Sequence, residues 1–147
     1  MKLIQNNPKD ASAIIIFYKK KVLLQKRDKK NNIFYPNFWG LFGGAKNFNE
    51  TYKSAAIREM MEEIGYQVNK KNLNYFFKLD IEFPLKKKSV SIKRYFYTYE
   101  VLNFKNFNEE IKLKEGSAYG FFSIPQINKL KVTPYDKFAL DMFNDLL

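Results

Sequence analysis

The chain has 147 residues, of which 46% are hydrophobic and 28% are charged, a composition typical of globular proteins. It contains no Cys and no His, which excludes disulfides, thiolate chemistry, Ser-His-Asp catalysis and His-ligated zinc. The net charge of +11 favours a phosphate-bearing partner, but 23 of the 26 basic residues are Lys, so a solvated basic surface is the alternative interpretation.

Hydrophobic patterning bears on location. No apolar run approaches the roughly 18 residues that a membrane span needs. Residues 1–10 lack the apolar stretch of a signal peptide. We therefore expect a cytoplasmic protein with no membrane partner, folded as a single domain over residues 1–147.

The first half of the chain predicts strands followed by a helix. Residues 11–18 and 22–26 are typical of two strands joined by a Lys turn. An extended segment over residues 38–44 ends in a double glycine. A helix is predicted over residues 51–64, with Gly65 in the position of a C-terminal cap.

The second half predicts further strands over residues 75–83, 90–102 and 118–124. Thr133 is a predicted N-cap and Pro134 the first residue of a C-terminal helix, whose apolar residues recur on one side. Because strands alternate with amphipathic helices, we predict an α/β fold in which a mixed β-sheet carries packed helices.

The predicted helix over residues 51–64 carries three carboxylates on one face. At about 100° per residue, Glu62 and Glu63 lie roughly 60° and 40° to either side of Glu59. Such like charges repel one another, and a divalent cation with oxygen ligands would relieve that repulsion. An ordinary acidic surface is the alternative. We expect these carboxylates to face solvent and metal, with an apolar stripe buried on the opposite side (Ile57, Met60, Met61 and Ile64).

The spacing of this segment resembles the Nudix box, G-x5-E-x7-R-E-U-x-E-E-x-G-U. Gly44 starts the match and Glu50 follows after five residues. The remaining fixed positions are matched by Arg58, Glu59, Glu62, Glu63 and Gly65. Tyr66 stands where an aliphatic residue is usual. Flanking segments (residues 22–27 and 38–44) are also similar to the family, but only the box is specific.

The resemblance implies a Nudix fold, a mixed sheet sandwiched between helices, and a Mg²⁺- or Mn²⁺-dependent hydrolase. It implies metal ligation by the carbonyl of Gly44 and the carboxylates of Glu59, Glu62 and Glu63. Glu50 and Arg58 would hold the loop and the helix in place. The family uses either a box glutamate or a distant loop glutamate as general base, so Glu59 and Glu115 both remain candidates, with Glu109 and Glu110 weaker ones.

Further residues are candidates for substrate contact. Arg27, Lys46 and Arg94 could bind phosphate, and Trp39 could stack on a base. For each of them an ordinary surface or core role is the alternative. A glycine follows Glu115, which suggests a flexible loop that could swing this carboxylate over the site.

The resemblance leaves the substrate open. It is closest to the MutT-like group, which implies a nucleoside diphosphate derivative such as a nucleoside triphosphate or a nucleotide sugar as the small-molecule partner. The alternatives are an RNA 5′-end pyrophosphohydrolase, favoured by the net charge, and a non-catalytic nucleotide-binding module. The oligomeric state is also open, with a homodimer as one alternative.

Overall fold

The structure is a computed structural model that describes residues 8–29, 34–84 and 87–147. Its strands form one seven-stranded sheet. In chain order they are β1 (Ala11–Tyr18), β2 (Lys21–Lys26), β3 (Trp39–Gly40), β4 (Phe42–Ala45), β5 (Leu73–Pro84), β6 (Ser89–Glu100) and β7 (Ala118–Ser123). The helices are α1 (Tyr52–Ile64), α2 (Phe104–Glu110), α3 (Ile124–Ile127) and α4 (Pro134–Asn144), with a 3-10 turn at Lys70–Asn72.

Strand β1 organises the sheet because three strands pair with it. It runs parallel to β6 and antiparallel to both β2 and β4. β4 pairs with the first half of β1, from Ala11 to Ile14, and β2 pairs only with its end, at Phe17 and Tyr18. β2 then diverges and pairs with β7 and β3. A gap therefore opens between the end of β2 and β4.

Both faces of the sheet are covered by helices. Ile14 and Ile16 of β1 pack in a core cluster with α1 and α2, whereas Ala13 and Ile15 pack with α4 on the other face. Successive side chains of a strand point to opposite faces, so a strand buried on both sides is apolar throughout. The predicted mixed sheet sandwiched between helices is confirmed.

Some local predictions were wrong. Met61 is 38% exposed and does not belong to the buried stripe of α1, whose buried apolar members include Met60 and Ile64. Thr133 is the N-cap residue of α4 as predicted, but its hydroxyl donates to Asp136 and makes no capping hydrogen bond. β7 ends at Ser123, because Ser123 caps α3.

Helix α2 was not predicted from the sequence. It has seven residues and buries only Phe107, so it lacks the long apolar repeat by which α4 was recognised. The Lys-rich runs at residues 29–32 and 86–88 are also typical of solvated loops, and of these, residues 30–32 and Lys86 lie outside the described residues. In the described part of the chain, none of the helices has the length and apolar character needed to cross a membrane.

Candidate active site

Helix α1 carries most of the predicted site residues, and its two ends are fixed locally. The Thr51 hydroxyl oxygen accepts a hydrogen bond from the Ser54 N–H at 3.0 Å, which satisfies one free donor of the first turn. Gly65 ends the helix in the left-handed conformation, with φ 66°, and its N–H donates to the Met61 carbonyl. These two caps fix where the helix that carries the three glutamates begins and ends.

Arg58 links α1 to the preceding loop and to β4. Its guanidinium donates to both carboxylate oxygens of Glu50, at 2.7 and 2.9 Å, and to the Ala45 carbonyl at 2.9 Å. It also donates to Glu59 at 3.0 Å and to Glu62 at 3.1 Å. Bidentate Arg–carboxylate pairing is directional, so Arg58 fixes the loop, the strand and the helix relative to one another.

Glu63 is the most deeply buried carboxylate of the box. It is 3% exposed, and its two oxygens accept from Gln25 Nε2 at 2.6 Å and from the Gly43 N–H at 2.8 Å. The expectation that all three glutamates face solvent is therefore wrong for Glu63. Its partners come from β2 and β4, which pair with opposite ends of β1.

Gly43 and Gly44 let the backbone of β4 approach its neighbours closely. Gly43 has φ 150°, and a side chain there would begin 2.1 Å from the Ser12 carbonyl oxygen. A side chain at Gly44 would begin 2.5 Å from the carboxyl carbon of Glu59. Only glycine fits at position 43, where the neighbour is backbone, whereas a side chain at position 44 would push the Glu59 carboxylate aside. The double glycine therefore allows β4 to lie directly against the carboxylates.

A cavity of about 430 Å³ lies in the gap between the end of β2 and β4. Its lining includes four carboxylates, from Asp28, Glu59, Glu63 and Glu115. The other lining residues are Gln25, Arg27, Gly43, Gly44 and Gly116. The structure thus brings the distant Glu115 to the same cavity as the box glutamates.

The segment that carries Glu115 is held against β2. The Ser117 N–H donates to the Lys26 carbonyl at 2.9 Å. Gly116 has φ 84°, and a side chain there would begin 2.8 Å from the same carbonyl oxygen. This glycine therefore permits a close contact with β2 beside Glu115, and the flexibility of the loop stays a prediction.

The electrostatics of the cavity reflect crowded acidic groups. The pKa of Glu63 is raised to about 8, chiefly by burial and to a smaller extent by the charges of Glu59 and Glu115, while the bonds from Gln25 and Gly43 lower it. Burial also raises the pKa of Glu59, against the lowering effect of Arg58. The site therefore concentrates negative charge where solvent access is poor.

A second cavity, of about 250 Å³, adjoins the first and shares Arg27, Gly43 and Gly44 with it. Its further lining is largely aromatic and apolar (Phe34, Leu41, Phe83, Ile92 and Tyr135 among others), with two more cations, Lys9 and Arg94. The guanidinium of Arg94 is paired with Asp136 at 3.1 Å and lies 4.6 Å from the centroid of the Tyr135 ring.

Other predicted site residues lie elsewhere. Trp39 packs edge-on against Phe122 and lines neither cavity. The Lys46 ammonium lies near the Asn47 carbonyl and over the Tyr52 ring, also outside both linings. Glu62 points outward with half of its side chain exposed, and Glu109 and Glu110 belong to α2.

Sequence reasoning missed Gln25 and Asp136. Gln25 is a polar residue that follows three buried apolar positions of β2, and this break in the apolar run is the available signal. Asp136 lies in the first turn of α4, where an acidic residue is ordinary, so nothing in the local sequence sets it apart. Tyr66, the departure from the box pattern, packs on Phe107 and shares a hydrogen bond of 2.9 Å with the Tyr99 hydroxyl.

The family model for the NUDIX domain matches residues 7–143 of the chain. The chain belongs to the Nudix family. The predicted membership is confirmed, and with it the class of hydrolases that act on phosphoric anhydride bonds. No curated protein matches the sequence significantly.

Solved Nudix structures share the fold at low identity. The dihydroneopterin triphosphate pyrophosphohydrolase of E. coli has a TM-score of 0.72 and 19% identity, covering 93% of this chain and 95% of that one. The MutT Nudix hydrolase of Burkholderia pseudomallei has a TM-score of 0.71 and 19% identity, covering 92% and 98%.

A third structure contains ligands. It is the bifunctional NMN adenylyltransferase/ADP ribose pyrophosphatase of Francisella tularensis, complexed with AMP and a Mn ion. Its TM-score is 0.69 and its identity 14%, and the match covers 96% of this chain and 42% of that one. At these identities the likeness establishes the fold of this Nudix chain.

Proposed function

We propose that this Nudix chain is a divalent-metal-dependent pyrophosphohydrolase that cleaves the diphosphate linkage of a nucleoside di- or triphosphate derivative, in the manner of MutT-like enzymes. The observation that carries the proposal is the cavity in which Glu59, Glu63 and Glu115 meet the backbone of Gly43 and Gly44. Arg27 borders the same cavity and supplies a cation for phosphate.

The donor set suits Mg²⁺ or Mn²⁺. Carboxylate and carbonyl oxygens are the ligands such hard cations take. A cation would stabilise the charged form of Glu63, whose pKa is raised chiefly by burial and to a smaller extent by the charges of Glu59 and Glu115. In the described part of the chain, no group of three acidic side chains is arranged to hold a metal ion in the present conformation. Arg58 engages Glu59 and Glu62, whereas Gln25 and Gly43 engage Glu63.

On this proposal Glu59, Glu62, Glu63 and the Gly44 carbonyl hold the metal. A bound divalent cation would neutralise the negative charge on the diphosphate oxygens and would activate water. Arg58 orients two of the carboxylates, and Gln25 orients Glu63 from β2. Glu59 or Glu115 accepts the proton of the attacking water at a carboxylate oxygen.

The second cavity supports a place for the rest of the substrate. It shares Arg27 and the double glycine with the acidic cavity, so a substrate could extend from one into the other. The ring pair Phe34–Phe83, with centroids 5.3 Å apart, and the ring of Tyr135 suit an apolar or aromatic group. We propose that the nucleoside lies there.

A panel of nucleoside triphosphates, nucleotide sugars and dinucleoside polyphosphates, assayed by product identity, tests the reaction. We expect cleavage within the diphosphate linkage with Mg²⁺ or Mn²⁺, loss of activity in EDTA, and recovery when metal is restored. Glu62→Gln should lower kcat by several orders of magnitude without altering stability, because Glu62 is exposed. Activity that persists in EDTA would refute the proposal, and nucleotide binding without turnover would favour a non-catalytic module.

The identity of the base is tested by comparing Glu59→Gln with Glu115→Gln at saturating metal and substrate. If Glu115 is the base, its loss should lower kcat by roughly 10²–10⁴-fold and leave KM nearly unchanged. A loss of less than about threefold for Glu115→Gln, with collapse for Glu59→Gln, would assign the base to α1.

A further inference from the structure

A groove at the opposite end of β1 from the double glycine has no role in the proposed reaction. It encloses about 610 Å³ and is lined by Tyr18, Lys19, Lys20, Lys21, Phe104 and Phe121. We call it the lysine groove. Its volume lies in the range of small-molecule binding sites. Along β2, Gln25 of the acidic cavity lies four positions after Lys21, which is about 13 Å of strand.

The floor of the lysine groove is aromatic. The Phe104 ring lies 5.1 Å from the Tyr18 ring and 5.2 Å from the Phe121 ring, measured between centroids. Phe104 is 36% exposed at the start of α2, so part of its ring meets solvent. Tyr18 and Phe121 are partly buried and support this ring, so Phe104 offers a face on which a flat ring can stack.

The rim of the groove is cationic. Lys19, Lys20 and Lys21 are all exposed, and none of them forms an ion pair with a residue that the structure describes. The Lys19 ammonium lies over the Tyr18 ring, 5.3 Å from its centroid. Three uncompensated positive charges beside an aromatic floor complement a ligand that joins an aromatic ring to an anion.

The backbone conformation of the turn also supports a role for the Lys19 side chain. Lys19 and Lys20 form a two-residue hairpin turn between the paired residues Tyr18 and Lys21. Lys19 has φ 54°, a conformation that favours glycine or asparagine in such turns. The turn therefore carries a lysine where hairpin geometry alone would favour another residue, which is expected if the side chain has a role.

We propose that the lysine groove binds a nucleotide unit, with the base stacked on Phe104 and the phosphate held by Lys19 and Lys20. Such a unit could be a free nucleotide or one residue of a single-stranded RNA. Tyr119 lies between the groove and the acidic cavity, since it pairs with Gln25 and is 37% exposed. An RNA could thus follow β7 from one site to the other.

Calorimetric titration with AMP in EDTA tests the groove, because EDTA suppresses metal-dependent phosphate binding in the acidic cavity. The variant Lys19→Asn/Lys20→Asn keeps a residue that tolerates the turn conformation, and it should weaken AMP binding about tenfold or more. Phe104→Leu should weaken it about fivefold or more, through lost stacking. Lys20→Ser alone should weaken AMP binding by a smaller factor. This single variant replaces the double variant if the double variant unfolds.

The matched control is Lys87→Asn/Lys88→Asn, which removes the same charge at the far end of the sheet, just before β6 begins. Its affinity for AMP should stay within about twofold of the parent, because distant charges are screened. Equal losses in the two double variants would overturn the proposal. So would binding of ribose 5-phosphate as tight as that of AMP, together with no effect of Phe104→Leu.

The source of the nucleotide is distinguished by titrating 5′-phosphorylated tetraadenylate alongside AMP. If the groove variants weaken the binding of AMP, a free nucleotide is a sufficient ligand. Groove-dependent binding of the tetranucleotide alone identifies RNA, and the slope of log affinity against log salt should then fall by about 1.4 in the double lysine variant. These titrations detect no hydrolysis, so their failure and failure of the proposed reaction are separate results.

Discussion

Three glutamates on one face of α1 experience different environments. The side chain of Glu62 is 50% exposed and that of Glu59 is 14% exposed, whereas Glu63 is 3% exposed as a residue. Glu63 alone has its two oxygens bonded by donors from two different strands. Its removal therefore affects folding as well as any chemistry at the site.

Glu63→Ala should lower the free energy of unfolding by about 2–4 kcal/mol, because the Gln25 amide and the Gly43 N–H would lose their acceptor in a buried place. Urea denaturation measures this change. Glu62→Ala, at the preceding position of the helix, is the matched control and should lower the free energy of unfolding by less than about 1 kcal/mol. Equal costs for the two variants would mean that the hydrogen bonds of Glu63 do not contribute to stability.

At the scale of elements, the loop before α1 is fastened to the helix through Glu50. Both carboxylate oxygens bond to Arg58, and one of them also accepts the Asn47 N–H at 2.7 Å. Hydrogen bonding to Arg58 lowers the pKa of Glu50 from 4.5 to about 2. The ionised form of Glu50 is thus the form that the folded protein stabilises.

The stabilisation from Glu50 should depend on pH. Because its pKa is lower in the folded state, the contribution is fully present above about pH 4.5 and is lost as the pH falls towards 2, where the unfolded state binds the extra proton. Unfolding free energies of the parent and of Glu50→Gln, measured from neutral pH downwards, should therefore converge on acidification. A difference between the two proteins that stays constant over this range would contradict the assignment.

At the scale of the whole molecule, a buried ion pair joins α4 to the sheet. One oxygen of Asp136 accepts from Arg94 on β6, at 3.1 and 3.2 Å. The other accepts from the Leu41 N–H, between β3 and β4, and from the Thr133 hydroxyl, both at 2.9 Å. Asp136 is 2% exposed, so this single carboxylate connects three parts of the chain away from solvent.

Asp136→Ala should destabilise the protein by about 3–5 kcal/mol, because it leaves the Arg94 guanidinium buried without its partner. Adding Arg94→Met should recover part of this loss, as a double-mutant cycle would show. The exposed pair Lys137–Asp141 on the same helix is the control, and Asp141→Ala should cost less than about 1 kcal/mol. Additive losses in the cycle would show that the pair is not coupled.

Local features of this protein were predictable from its sequence. Helix α1 begins and ends where Thr51 and Gly65 predict, since capping and helical period depend on residues within a few positions of one another. The strands β1, β2, β5 and β6 were predicted to within a few residues. The spacing from Gly44 to Gly65 identified the Nudix family for the same reason, as the box is one continuous segment.

The tertiary structure decided which residues share a site. Gln25 reaches Glu63 across 38 positions, and Arg94 reaches Asp136 across 42. These contacts arise because β2 and β4 pair with opposite ends of β1 and because β6 runs parallel to β1. A helical repeat places three glutamates on one face, but only the strands packed against that face determine which carboxylate is buried. The sequence by itself therefore determined the family and the acidic helix. Packing between distant segments decided that Glu63 is buried, that Asp136 is the partner of Arg94, and that Glu115 lies at the acidic cavity.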